Sequence, residues 1–328
     1  LAPALIYAAL NARGEGSSGW GIPMAHDIAF ATGALMLVGR ALPASVKVFL
    51  LAVAIVDDLG AVIVIALFYT HHVSVVWLAV AAGLLAFLIL LNVLRVHRLS
   101  AYLAVGVGLW AATLFSGIHP TLAGVLLALT IPASRQIEER PYVDYMRQAL
   151  ELFEHDATAV PDKITPNQSH ALNTMHLASQ AVQTPLARLE HALLMPVNFI
   201  VIPLFALANC GVAFHLGDRA IWVSPVLWGI LAGLVIGKPL GILAASWIAI
   251  RFAGAKLPGG ADWRDFTGVA VLCGIVFTMS LFIATLAFNA QNHLVDVAKV
   301  GLLLGSLISG IVGAVILLMR KSRAGAQN

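Results

Sequence analysis

The chain has 328 residues, of which 60% are hydrophobic and only 11% are charged, with a formal net charge of +3 at pH 7. Soluble globular domains carry about 25% charged residues, so the composition excludes an ordinary soluble domain and predicts an all-α, polytopic membrane protein. The slight basic excess lies in the connections between apolar segments, which argues against a nucleic-acid-binding surface.

Apolar segments in chain order predict a partial membrane span followed by full spans, because a helix needs about 20 apolar residues to cross the hydrocarbon core. The partial span covers 1–10, and since the chain begins with Leu inside it, we interpret the sequence as truncated at its N-terminus. The full spans are predicted at 22–38, 48–69, 73–94, 102–115, 121–131, 192–214, 222–252, 266–288 and 295–319.

One long polar segment, 136–190, interrupts this series and predicts a loop or a peripheral helical insert. It divides the chain into a first transmembrane group (1–135), a cytoplasmic insert (136–190) and a second transmembrane group with a tail (191–328). The Lys and Arg residues of the connecting loops lie almost entirely on one side of the predicted membrane. The loops of that side have theirs within 40–47, 95–98, 135–188, 251–264 and 320–323, whereas the loops of the other side have only Arg13 and Arg219. Because basic loops stay cytoplasmic, the C-terminus is predicted to be cytoplasmic.

Two adjacent carboxylates, Asp57 and Asp58, interrupt the apolar span at 48–69. An ionised side chain at the centre of a spanning helix costs at least about 2.5–3.5 kcal/mol to insert. The two side chains project about 100° apart, so both can face one cavity. Oxygen ligands suit a hard cation, and close carboxylates resist double ionisation, so the pair could hold either a cation or protons. The alternative is a carboxylate pair that only joins helices through hydrogen bonds.

Lys238, in GLVIGKPLGI, supplies a positive charge in the middle of another predicted span. The simplest account is a buried ion pair with Asp57 or Asp27, either taking part in transport or serving as a fixed structural bridge. Asp27 itself follows Pro23 and precedes Thr32 in a span that we expect to be broken. Its carboxylate could neutralise the exposed helix ends or bind the cation directly.

The segment CGIVFTMS, residues 273–280, is a candidate for a second broken helix, with Thr278 among its polar residues. His119 lies between two spans at a predicted membrane edge, where it is either a pH sensor or an ordinary interfacial histidine. No P-loop, dinucleotide-binding or zinc motif is present in the sequence, so we predict no cofactor and no enzymatic activity.

These residues lie in stretches that resemble the NhaA family of bacterial Na+/H+ antiporters, in the family's order along almost the whole chain outside 136–183. The stretches are GWGIPMAHDIAFATG, KVFLLAVAIVDDLGAVIVIALFYT, SGIHPTLAGV, RLEHALLMPVNFIVIPLFALANCGV, GLVIGKPLGI and VLCGIVFTMSLFIA. The resemblance implies an inverted-repeat, NhaA-like fold with two broken, crossing helices, an architecture for which this family is itself a standard example.

The resemblance also implies roles for individual residues. Asp57 and Asp58 would form the site that exchanges Na+ or Li+ for H+, and Lys238 would pair with the first aspartate. Asp27, with His26, Thr32 and Thr278, would provide the electrostatics of the helix crossing, and His119 would contribute to the pH response. Transport would be electrogenic, by alternating access, in the bilayer of the bacterial inner membrane, and a homodimer would form if the missing N-terminal region is present.

The sequence departs from the family pattern at three places. His26 stands where the family usually has threonine, which removes a hydroxyl and adds a titratable ring. The family's first two helices and most of the third have no counterpart, and the polar segment 136–183 is longer than the family's loop. Two other hypotheses remain: an intramembrane aspartyl protease, for which no GxGD motif is present, and a passive cation channel, which Lys238 disfavours.

Overall fold

A computed structural model describes residues 1–38, 42–70, 73–155, 164–209, 219–257, 259, 261–288 and 292–324. All the regular structure within these residues is helical. The α-helices are α1 Ala2–Asn11, α2 Ile28–Val38, α3 Ala44–Phe68, α4 Val75–Val93, α5 Leu99–Ser116, α6 Thr121–Thr130, α7 Glu139–His155, α8 Pro166–Val182, α9 Pro185–Pro196, α10 Ile202–Asn209, α11 Arg219–Val223, α12 Pro225–Ala232, α13 Lys238–Phe252, α14 Trp263–Leu272, α15 Thr278–Ala287 and α16 Asn292–Ala324. A 3-10 helix (Glu15–Met24) and two π-helical segments (Val197–Val201, Gly233–Gly237) complete the set.

Several of the described helices are long and apolar enough to cross a membrane. The six that pass on length and composition are Ala44–Phe68, Val75–Val93, Leu99–Ser116, Pro185–Ala208, Pro225–Phe252 and His293–Met319. The pair Glu15–Met24 and Ile28–Val38 forms a seventh candidate span with a 50° bend at its break. The predicted all-α, multi-span membrane protein is therefore confirmed.

The span predicted at 192–214 begins earlier than its apolar run, at Pro185. Proline is favoured in the first helical turn, and the Thr184 hydroxyl accepts a hydrogen bond from the Ala187 N–H at 3.2 Å, which caps the helix there. This cap fixes the first residue of the helix, so the polar residues between Thr184 and the apolar run are also helical. The predicted end of this span, residues 210–214, lies outside the described residues.

The polar segment forms two packed helices, α7 and α8, so of the two alternatives, loop or helix, the structure shows helix. Thr165 and Gln168 form a reciprocal capping box at the start of α8. At its other end, the N–H groups of Gln136 and Ile137 both donate to the Ala181 carbonyl, at 3.0 and 3.3 Å. Residues 156–163 lie outside the described part of the chain. This range includes Lys163, which, like Arg40, is a basic residue used to predict the orientation and is not described.

The chain forms two compact units, one from residues 1–70 and 201–328 and the other from 71–200. The core of the first unit contains residues of α1, the 3-10 helix, α12, α15 and α16, with Tyr7, Ile22, Leu227 and Leu281 buried in it. The second unit packs α4, α5 and α6 around Leu88, Tyr102 and Leu109. The three-part division by polarity along the sequence stays a prediction.

Two helix breaks lie within the first unit. The first break, residues 25–27, separates the 3-10 helix that ends at Met24 from α2. The second break, residues 273–277, separates α14 from α15, as expected from the segment CGIVFTMS. At each break, helix ends leave backbone N–H and C=O groups without partners in the helix. Other groups must satisfy them, and the predicted site residues do much of this.

Candidate ion-binding site

Asp57 and Asp58 lie within the spanning helix α3, and both side chains are half-buried. Oδ1 of Asp58 accepts a hydrogen bond from the backbone N–H of His26, in the first break, at 3.3 Å. Oδ2 of Asp57 lies 3.9 Å from Nζ of Lys238. The structure therefore places both carboxylates beside the first break and pairs the first of them with the buried ammonium group.

Lys238, with only 2% of its surface exposed, makes its shortest contacts with backbone rather than with a carboxylate. Its Nζ donates hydrogen bonds to the Met24 carbonyl, at 3.4 Å, and to the Ala25 carbonyl. These carbonyls are at the C-terminal end of the 3-10 helix, where the partial charge is negative and a cation is favourable. Of the two acids predicted as its partner, Asp57 forms the ion pair.

Asp27, which is 5% exposed, accepts hydrogen bonds from the N-termini of two helices. Its Oδ1 accepts from the Phe30 N–H in the first turn of α2, at 3.4 Å. Its Oδ2 accepts from the backbone N–H and the hydroxyl of Thr278, at 3.2 and 3.0 Å. Because helix N-termini carry partial positive charge, this carboxylate is placed to neutralise both at once.

His26 connects the two breaks. Its Nδ1 lies 3.0 Å from the Cys273 carbonyl, which is at the C-terminal end of α14, and its ring is 1% exposed. Since a carbonyl can only accept, we assign the proton to Nδ1. Lys238, Asp27 and His26 thus satisfy exposed helix ends at both breaks, while Asp57 and Asp58 lie beside them on α3.

Two other predicted site residues lie apart from these contacts. The Thr32 hydroxyl donates to carbonyls of its own helix, those of Ile28 at 2.6 Å and Ala29 at 3.2 Å. His119 belongs to the second unit, in the turn between α5 and α6, where it is half-buried. Partial burial lowers the pKa of His119 below its ordinary value, because the charged form loses hydration.

The sequence analysis missed Ser306 and the Cys273 carbonyl. The Ser306 hydroxyl accepts from the Val276 N–H at 3.0 Å and donates to the Val276 carbonyl at 2.6 Å, so it satisfies backbone within the second break. A signal was present, since Ser306 interrupts the apolar run GLLLGSLISG. The contact to Cys273 had no signal, because on the Cys273 side it uses only a backbone carbonyl.

A cavity of about 830 Å³ reaches the ion pair. Asp57 and Lys238 line it, together with apolar residues of α3, α13 and α14, among them Val53, Ile242 and Phe266. The ion pair between Asp57 and Lys238 thus lies at the wall of this cavity.

Comparison with known proteins decides the family. A family profile described as "Na+/H+ antiporter 1" matches residues 1–317. The chain belongs to this antiporter family. Among similar proteins, the one named Na(+)/H(+) antiporter NhaA from Koribacter versatilis is 45% identical over 324 residues, which is 98% of this chain and 69% of that protein.

Proteins of the same name from other bacteria match this chain over a similar length. The protein of the same name from Oleidesulfovibrio alaskensis is 44% identical, over 97% of this chain and 70% of its own length. The one from Helicobacter pylori is 43% identical, over 99% and 73%. The predicted family is thus confirmed, and with it a multi-pass membrane transporter rather than an enzyme.

Proposed function

We propose that this antiporter exchanges Na+ or Li+ for H+ at Asp57 and Asp58, which bind either a cation or protons. The family supports Na+ and H+ as the transported ions. The observation that carries the proposal is the position of the two half-buried carboxylates inside a spanning helix, beside the first break, with Oδ2 of Asp57 3.9 Å from the buried Lys238 ammonium group. A cation that binds there replaces protons on the same oxygen atoms.

Coupling requires that the two ligands stabilise different conformations of the protein. The contacts around Asp58 offer a physical basis. A carboxylate that holds Na+ accepts the His26 N–H more strongly than a protonated carboxyl group does, because hydrogen bonds to charged groups are stronger. Protonation therefore loosens α3 from the first break, and cation binding tightens it. Alternating access follows if the two arrangements open the site to opposite sides of the membrane.

The same site accounts for the finer properties that the family resemblance implies. One cation displaces protons from two carboxylates, so each cycle moves net charge and responds to the membrane potential. His119 contributes to the pH response from its turn in the second unit. We place the antiporter in the bacterial inner membrane with a cytoplasmic C-terminus, consistent with the basic residues of the alternate connections. A homodimer is what the family resemblance implies where the family's N-terminal helices are present.

The test uses everted membrane vesicles from cells without their own antiporters, with a respiration-driven pH gradient followed by a fluorescent dye. NaCl, LiCl and KCl are added separately to vesicles with the native chain, Asp58→Asn or Asp144→Asn. Asparagine keeps the shape of aspartate but cannot exchange a proton, and Asp144 is an exposed residue of α7. We expect Na+ and Li+ to dissipate the gradient with the native chain and with Asp144→Asn, but not with Asp58→Asn.

A second experiment distinguishes exchange from passive flow through a channel. Vesicles are loaded with 22Na+, and efflux is followed with and without an imposed pH gradient. Exchange requires efflux to accelerate when protons are available on the opposite side, whereas a channel releases Na+ at the same rate in both conditions. Equal efflux rates would exclude exchange, and equal activity of Asp58→Asn and the native chain would exclude the proposed site.

A further inference from the structure

We infer that His26 is a positioning residue for Na+ binding, whose ring, anchored to the Cys273 carbonyl of the second break, holds its own backbone N–H against the Asp58 carboxylate. The inference rests on the proposed function of Asp58.

The contact of the His26 ring with Cys273 is buried inside the protein. The ring is 1% exposed, and Nδ1 lies 3.0 Å from the Cys273 carbonyl oxygen. Cys273 is the C-cap of α14, so its carbonyl is one of those that a helix end leaves without an intrahelical partner. The other ring nitrogen, Nε2, has no hydrogen-bond partner among the described residues. Nδ1 is therefore the atom that anchors this side chain.

The backbone of His26 needs such an anchor. It lies in the non-helical link between the 3-10 helix and α2, so no helical ladder fixes its peptide group. Side chains secure its neighbours, since Lys238 binds the Ala25 carbonyl and the Asp27 carboxylate caps α2 and α15. The peptide of His26 is secured in the same way, by the hydrogen bond between its own ring and the Cys273 carbonyl.

The consequence concerns Asp58. The His26 N–H is 3.3 Å from Oδ1 of Asp58, so the orientation of this peptide decides whether a donor faces the carboxylate. A donor held in place fixes one oxygen of Asp58 and leaves the other to a cation. Without the ring contact the peptide can rotate, and the carboxylate loses its fixed orientation. The ring thus acts on the cation through Asp58 and does not touch it.

Three substitutions at His26 separate the contributions of its two ring nitrogens. In His26→Asn, the side-chain amide nitrogen can occupy the position of Nδ1 and keep the bond to Cys273. In His26→Gln, the longer side chain places its amide near the position of Nε2. His26→Leu fills a similar volume but cannot donate a hydrogen bond. Thr285→Val serves as the control, because the Thr285 hydroxyl bonds only to its own helix, at the Phe282 carbonyl.

Each variant is reconstituted into proteoliposomes, and the KM and kcat for Na+ are measured from 22Na+ exchange. Loss of a group that orients a ligand raises KM more than it lowers kcat, so we expect His26→Leu and His26→Gln to raise KM about tenfold. His26→Asn should stay within about threefold of the native KM, and Thr285→Val should match the native protein. Thermal unfolding in detergent checks that each variant is folded.

Two results would overturn the inference. If His26→Gln restores the native KM and His26→Asn does not, Nε2 is the working atom and the anchor to Cys273 is irrelevant. If all three variants keep the native KM, the ring has no part in binding. Should His26→Leu fail to fold, the comparison of Asn with Gln decides alone. Absence of Na+ exchange by the native chain would instead refute the proposed function, so the two failures are distinguishable.

Discussion

Asp27 and Thr278 join two separate spans through one carboxylate oxygen. Oδ2 of Asp27 accepts from both the backbone N–H and the hydroxyl of Thr278, at 3.2 and 3.0 Å. Phe277, the N-cap of α15, makes no side-chain hydrogen bond, so Asp27 replaces a local cap from 251 positions away in the sequence. The two breaks are therefore stabilised together by one carboxylate.

Replacing Thr278 by valine should destabilise the fold without abolishing the contact. The substitution removes the hydroxyl donor and keeps the backbone N–H, so we expect a loss of about 1.5–3 kcal/mol, typical for a hydrogen bond to a charged group. Thr285→Val in the same helix should have a smaller effect, because the Thr285 hydroxyl bonds only to the Phe282 carbonyl of its own helix. Thermal unfolding in detergent measures both, and equal shifts in Tm would contradict the prediction.

Lys238 should matter more for stability than its carboxylate partner does. Lys238→Met leaves the Met24 and Ala25 carbonyls and the Asp57 carboxylate without their donor, so we expect a loss of about 3–5 kcal/mol. Asp57→Asn should cost less, because Lys238 keeps both carbonyl contacts and the Asp57 side chain is 32% exposed.

The double variant Lys238→Met/Asp57→Asn tests the same relationship. Removing both charges leaves no unpaired carboxylate, so the loss of stability should be smaller than the sum of the two single losses. Additive losses would show that the two charges do not interact. A larger loss from Asp57→Asn than from Lys238→Met would show that the carboxylate, and not the helix end, is the main partner of Lys238. The measurement is the Tm of each purified variant at the same detergent and salt concentration.

The sequence could predict the charged members of this arrangement but not their partners. Asp57, Asp58 and Lys238 are visible because each places a charge in an apolar segment, and Pro23 indicated the first break. The Met24, Ala25 and Cys273 carbonyls could not be predicted, since every residue has a carbonyl and only the folded helix ends expose particular ones. The start of α9 at Pro185 was missed because a cap, not hydropathy, sets it.

Gly274 should tolerate no side chain. A Cβ atom there would lie 2.4 Å from the Ser309 hydroxyl and 2.9 Å from the Leu234 carbonyl, so α16 or the second break must shift to admit it. We expect Gly274→Ala to destabilise the protein by about 1–3 kcal/mol, as overpacking usually does. At Gly83, in α4, a Cβ would meet nothing within 4 Å, so Gly83→Ala is the control. Similar Tm values for the two variants would show that the second break adapts freely.

His119 should affect the antiporter only at acidic pH. Burial lowers the pKa of His119 below its ordinary value of about 6.5, so the ring is neutral in the folded protein at pH 7 and above. At pH values between the folded and the ordinary pKa of His119, the unfolded chain binds more protons than the folded chain. The free energy of unfolding therefore rises with pH across this window and is constant, as far as His119 is concerned, above it. His119→Asn removes the titrating ring, and we expect it to flatten this acidic dependence while leaving behaviour at alkaline pH unchanged.

The measurement for His119 is the Tm of the purified protein in detergent, from about pH 5.5 to 9, around the ordinary histidine pKa of about 6.5. His191→Asn is the matched control, since His191 is an exposed histidine of α9. The profiles of His119→Asn and the native chain should coincide above pH 7 and separate below it, whereas His191→Asn should follow the native chain throughout. A shift of the alkaline limb by His119→Asn would contradict the prediction, because a ring that is already neutral there has no proton to lose.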